Sequence, residues 1–426
     1  MNGAVNGAVN GAAGPVRTEA YLAVELAWAG RHPAAWRLAD AAPGELFTAG
    51  YWTGLAQLAD AAGLDFVAIP DSFAPPAEGP GAEAEVRGQL DAVAIAARVA
   101  PVTRSVGLVP TATVTHTEPF HLSKAIATLD FVSLGRAGWQ PAVSRTRAEA
   151  DLFGRKDAAP AEVLWREAAE AVEVVVRLWD SWADDAVIRD ASTGRYVDRD
   201  KLHYVDFAGE FFSVKGPSIT PRSPQARPPV VLRVDEPEAL PVVARWAQMA
   251  RIAAPDLSSA AAARSRVREA VAAAGRDPDE VAVLLDVETM LADTADQAHR
   301  ALEQLDGWAG AERFALRTYT QQAPSVAHVG TPAGLADLIE EAFRGGAADG
   351  VTLVPLALPT GLRLVADALV PLLVERDLRS APGGGPLRMS TQSKASPGGV
   401  ARARPATLRD RFGLARPANY FTEARG

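Results

Sequence analysis

Short apolar runs and segments of helical period alternate along most of this chain, and that rhythm leaves few folds open to it. Strands are expected at 20–28, 65–70, 105–111, 137–144, 229–234, 250–254, 281–289 and 350–355. Helices are expected at 51–62, where Gly63 ends the run, and at 90–100, 119–131 and 161–182. The third of these opens with Pro119 in its first turn, where a missing N–H costs nothing. Roughly eight strands with intervening helices, in 426 residues of which 48% are hydrophobic, fit an α/β fold of the (β/α)8 TIM-barrel type with insertions. A doubly wound open sheet is the alternative, and strand count decides between them.

Two stretches break the alternation. Residues 184–228 carry turn signals at Thr193-Gly194 and Ala208-Gly209 between aromatic and β-branched residues, which reads as a β-hairpin insertion. A second excursion covers about 307–329. In a barrel such insertions belong to the loops that wall the active site. One barrel domain is therefore expected over 19–380. Residues 1–18, an Asn-Gly-Ala repeat with no basic start and no long apolar core, read as a disordered tail rather than a signal peptide. The tail 381–426, with APGGGP and SKASPGGVARARP, reads as surface-wrapping or disordered.

The formal net charge is -9 and no Lys/Arg cluster stands out, so nucleic acid is not an expected partner. No apolar run reaches the length of a membrane span. The absence of cysteine excludes disulfides, thiol catalysis and Cys-ligated metals and fits a reducing interior. A cytoplasmic protein is expected.

Barrel catalysis occurs at the C-terminal ends of strands. Those ends hold Asp71-Ser72, Thr111 to Thr113, Gln140 to Ser144 and Arg233 to Glu236, with no nucleophile beside a base. Asp71 is a candidate ligand or general base, although Asp before Ser at a strand end also suits a cap. His116 and His121 in THTEPFH lie five apart on either side of a helix start, a poor spacing for a metal, and no metal is expected. GRAGWQPAVS is an irregular strand end that suits either a ligand contact or a barrel corner. No Gly-x-Gly-x-x-Gly turn follows a strand, so an oxidoreductase of this sequence would draw its reducing power from another protein. The stretch VVLRVDEPEAL places Asp235 and Glu236 where a strand turns into a helix. It reads as an anion site of the wrong charge, an acid/base pair or, preferred, a capped helix start.

Several long segments together carry a resemblance. RHPAAWR, EPFHLSKAIATLDFVSLGRAGW, LWDSWADDAVIRDASTGRYVDRDKLHYVDFAGEFFSVKGP, PRSPQARP and the closing RPANYF resemble the bacterial-luciferase-like flavin monooxygenases. The resemblance is nearest to the branch with nitrilotriacetate and dibenzothiophene-sulfone monooxygenases. It implies a dimeric (β/α)8 barrel, a homodimer or a heterodimer with a related chain. Reduced FMN would come from a separate flavin reductase and react with O2 to a flavin hydroperoxide, which oxygenates a small organic substrate. It also implies cofactor contacts at Asp71, Ser72, Thr111, Gln140, Ser144, Trp165 and Arg233. His32, His116 and Asp71 are the candidates for a catalytic role.

The departures are specific. Gln140 stands where the family has Asn, Val143 where it has a hydroxyl, and Trp165 where it has Tyr. The loop that holds the FMN phosphate in the family reads Gln-Ala-Gly-Ser-Ser, and the residues here are Arg233, Val234, Asp235, Glu236 and Pro237. Two alternatives follow: a partner subunit that binds no flavin, or a flavin-independent barrel enzyme using Asp235 or Glu236 as acid or base. A phosphate moved onto Arg145, Arg233 or the insertion is the way in which FMN would still bind.

Overall fold

A computed structural model of the chain describes residues 18–75, 86, 88–309, 325–382 and 406–423. Residues 1–17 of the expected tail 1–18, most of the Pro/Gly-rich loop after residue 75, the centre of the second excursion and residues 383–405 with the glycines of both tail motifs lie outside those residues.

Eight parallel strands form the barrel: β1 (Tyr21–Glu25), β2 (Phe66–Ile69), β3 (Gly107–Thr113), β4 (Gln140–Ala142), β5 (Val231–Val234), β6 (Met249–Ile252), β7 (Ala282–Leu291) and β8 (Gly350–Pro355). Each expected strand is found. β1 pairs with both β2 and β8, and a parallel bridge between Trp139 and Val230 joins β4 to β5. Across that seam the Trp139 N–H donates to Pro229 O and the Val231 N–H to Trp139 O, both at 2.9 Å. Closure removes the sheet edges, so this is a barrel and not an open sheet.

Strand alternation sorts the side chains. Leu22, Val24, Val67, Ile69, Leu232 and Ile252 point outward into the layer of helices. The residues between them point inward, and the lower part of the interior is apolar, with Tyr21, Phe66, Val109, Val231, Met249 and Leu284. The segment 406–423 completes this core from below. Its helical turn Leu408–Arg411 starts in a Thr407/Asp410 capping box, and Leu408 and Phe412 close the N-terminal end of the barrel. The Phe412 ring meets Tyr21 at 5.6 Å and Phe66 at 6.1 Å, both edge-on.

That plug explains two strand glycines. A Cβ on Gly107 would lie 2.5 Å from Leu408 Cδ1, and one on Gly138 would lie 2.9 Å from Val109 and 3.2 Å from Leu408. Gly138 weakens its strand in isolation, but in the fold it makes room for the tail.

The insertion contains two short hairpins, Val187–Asp190 with Arg195–Val197 and Phe207–Ala208 with Ser213–Val214. A strand absent from the sequence reading, Val326–Gly330, pairs with the protruding half of β7, from Val287 to Leu291. An unexpected short helix, Arg147–Phe153, follows β4 behind the Thr146 capping box.

Candidate active site

Above the apolar plug the barrel interior turns polar. Glu25 on β1, Thr111 on β3, Gln140 on β4, Arg233 on β5, Arg251 on β6 and Asp286 on β7 all occupy inward positions. Arg251, fully buried, is the hub. Its Nε and Nη2 donate to the two oxygens of Asp286 at 2.9 and 3.0 Å, Nη2 also reaches Glu25 Oε2 at 2.8 Å, and Nη1 donates to Gln140 Oε1 at 3.0 Å. Because a guanidinium only donates, it fixes the amide: Gln140 Oε1 faces Arg251, and Nε2 donates to Thr111 Oγ1 at 2.8 Å.

Burial works to raise the Glu25 carboxyl. The guanidiniums of Arg251, Arg233 and Arg31 outweigh it and hold the group at about 2. Glu288, one inward position above Asp286 on β7, behaves oppositely. Burial pushes its carboxyl up; Arg31 opposes that, and Asp286 and Glu25 add to it. A buried charged layer of this kind costs desolvation free energy and is tolerated only because each charge is paired.

At the rim, two buried hydroxyls, Thr113 Oγ1 and Ser144 Oγ, have no protein partner, and neither has His116 Nδ1, close to Thr113 in sequence. Native interiors rarely leave such atoms unpaired, so they are the natural contacts for a bound ligand. The His116 ring stacks on Phe153 at 4.6 Å. A cavity of about 250 Å³ opens there between Thr115–Glu118, Arg155-Lys156 and Phe211–Val214 of the insertion.

The expected site residues do not share one place. Thr111, Gln140 and Arg233 meet in the charged layer, with Ser144 at its rim. Asp71 and Ser72 are engaged in their own loop. The Asp71 carboxylate accepts from Gln89 Nε2 and the Ala92 N–H, and Ser72 Oγ accepts from the Ala74 N–H. His32 has both ring nitrogens occupied, Nδ1 by the Ala34 N–H at 3.1 Å and Nε2 by Asp306 at 3.2 Å. Burial lowers its pKa and Asp306 works against that.

Trp165, Arg145 and Arg233 all meet the acidic loop after β5. Glu236 Oε1 accepts from Trp165 Nε1 and lies 2.7 Å from Arg145 Nη2. Asp235 takes Arg233 Nε and Nη2 at 3.1–3.3 Å. The preferred reading of a capped helix is not what forms: Glu236 precedes the 3-10 turn Pro237–Ala239 without a side-chain cap bond, and both carboxylates are spent on guanidiniums.

Sequence reasoning missed Glu25, Arg251, Asp286 and Glu288. The available signal was charge inside strands that are otherwise apolar, at alternate positions in AVLLDVETML and within MARI. Among the described residues no cluster of His, Asp and Glu is arranged to hold a metal, and no helix is long and apolar enough to cross a membrane.

A closed parallel barrel with buried charges and unpaired hydroxyls at its C-terminal mouth is the architecture of a barrel enzyme. The family is then given by comparison: residues 28–353 match the luciferase-like monooxygenase family, and the chain belongs to it. N-acetyl-S-(2-succino)cysteine monooxygenase of Bacillus subtilis (strain 168) is 29% identical over 94% of this chain and 98% of its own. Nitrilotriacetate monooxygenase component A of Aminobacter aminovorans is 28% identical over 92% and 95%. The crystal structure of long-chain alkane monooxygenase superposes with a TM-score of 0.79 over 93% of this chain and 95% of that one, at 21% identity.

For a flavin, the cofactor of the family, the two halves of the mouth differ. The unpaired hydroxyls near Thr111 and Gln140 suit the polar edge of a ring. The loop after β5 does not suit a phosphate, because carboxylates already occupy its guanidinium partners.

Proposed function

We propose that this chain is the oxygenating component of a two-component system. It would take flavin reduced by a separate reductase, together with O2, and place one oxygen atom in a small organic substrate. The observation that carries the reading is the set of unpaired buried hydroxyls above a rigid charged layer, in a chain of this family. The relative from Aminobacter aminovorans is, by its name, one component of its own system. Assembly as a dimer, with itself or a related chain, belongs to the same proposal.

When bound, the flavin supplies the reaction with O2. The protein contributes position. Arg251 fixes Gln140, and Gln140 donates to Thr111 Oγ1, so the Thr111 hydroxyl proton is the one left to offer to a ligand. The chain from Glu25 and Asp286 through Arg251 to Thr111 thus presets a donor. Thr113 and Ser144 add two hydroxyls beside it. His116, stacked on Phe153, and Phe211–Val214 border the cavity through which a substrate would enter.

The test supplies the purified chain with a flavin reductase, a reduced nicotinamide dinucleotide as electron donor, 18O2 and a panel of thioethers, sulfones and aminocarboxylates, with riboflavin and FMN each offered as the flavin. One labelled oxygen in a product is the expected result. No labelled product and no substrate-dependent O2 uptake with either flavin would refute the reading.

A further inference from the structure

The acidic loop after β5 behaves as a built-in anion. Three groups near it could grip a phosphate: Arg145, Arg233 and the Trp165 indole N–H. All three are held by carboxylates of the loop itself. Glu236 takes Arg145 and Trp165 together through one oxygen, and Asp235 takes Arg233 through two nitrogens. Pro237 has no N–H to give, and the helix that follows, Leu240–Trp246, carries a second proline in its first turn.

Charge balance points the same way. Deeper in the mouth Arg233 also faces Glu25 at 3.7 Å and Asp286 at 3.4 Å, and Arg31 lies 3.6 Å from Glu25. Arg31, Arg145, Arg233 and Arg251 are thereby matched by Glu25, Asp235, Glu236 and Asp286. A phosphate dianion entering here would have to displace a carboxylate from its guanidinium and then remain beside it. A neutral ribityl hydroxyl meets no such barrier and can donate to the same carboxylates or accept from the guanidiniums they hold.

We infer that Asp235 and Glu236 make this chain select a flavin without a terminal phosphate, so that the isoalloxazine ring and a ribityl tail ending in hydroxyl are what it holds. The inference rests on the proposed flavin dependence and adds which flavin is bound.

Riboflavin and FMN, each in its reduced form, titrated anaerobically into the wild-type chain and followed by quenching of the tryptophan fluorescence, provide the test. Riboflavin should bind at least about tenfold more tightly than FMN. In Glu236→Gln, FMN should gain about tenfold or more while riboflavin changes by less than about threefold, because the amide keeps the Trp165 bond and frees Arg145. FMN binding as tightly as riboflavin to the wild type would overturn the inference and leave flavin dependence standing. Parallel changes for both flavins in Glu236→Gln would also overturn it, since they mark a loop that acts on shape and not on phosphate. Binding of neither flavin to the wild type would overturn both the inference and the proposed function.

Discussion

Arg251 decides much at the scale of single residues. It joins Glu25, 226 positions away, to Asp286 and Gln140, and none of these groups reaches solvent. Replacing it with Met would leave two carboxylates buried without their main counter-charge. The expected loss is about 3–5 kcal/mol of unfolding free energy, read as a shift in the urea midpoint. Gln140 is a gentler probe. Gln140→Leu keeps much of the volume but removes the bond that orients Thr111, so a product assay should show a fall in kcat with the fold retained. An unchanged kcat would mean that Thr111 needs no orientation.

The tail carries an argument at the scale of elements. RPANYF and PRSPQARP, which carry part of the family resemblance, sit away from the mouth in a cluster around Asp180. That buried carboxylate accepts from Arg222 Nε at 2.9 Å, Arg227 Nε at 2.7 Å and the Tyr420 N–H at 3.0 Å, while Asn419 Nδ2 donates to the Asp180 and Trp182 carbonyls. Arg416 and Arg222 share Asp184 in the insertion. Motif residues here tie the tail and the insertion to the barrel, so their presence marks family without touching the chemistry. Phe412→Ala should open a cavity below the barrel and cost about 3–5 kcal/mol, seen as a lower thermal midpoint. If the tail were a loose wrap, the midpoint would hardly move.

Acid stability is a property of the whole molecule and follows from the charged layer. The Glu25 carboxyl sits near 4.5 when unfolded and at about 2 in the fold, so the fold favours its ionised form. That contribution is fully present above pH 4.5 and is lost as the pH falls through the window toward about 2. Urea midpoints measured across that window should decline for the wild type and decline less steeply for Glu25→Gln, which is less stable at neutral pH. Equal slopes would mean that Glu25 titrates alike in both states.

The strand and helix alternation, local in origin, made the eight barrel strands legible from residues alone, and the family followed from the resemblance of several long segments. Hairpin turns at Thr193-Gly194 and Ala208-Gly209 were legible for the same reason, because turn chemistry acts over a few residues. Val326–Gly330 escaped because so short a run, ending in glycine, becomes a strand only beside the overhanging end of β7. The acidic loop was visible in the sequence, but its partners were not. Glu236 meets Trp165 across 71 positions, and Arg251 meets Glu25 only because the barrel closes. Spacing along the chain sets periodicity, and periodicity set the barrel. Which charges face one another depends on strand order, tilt and the seam at Trp139, and these exist only once the tertiary structure has formed.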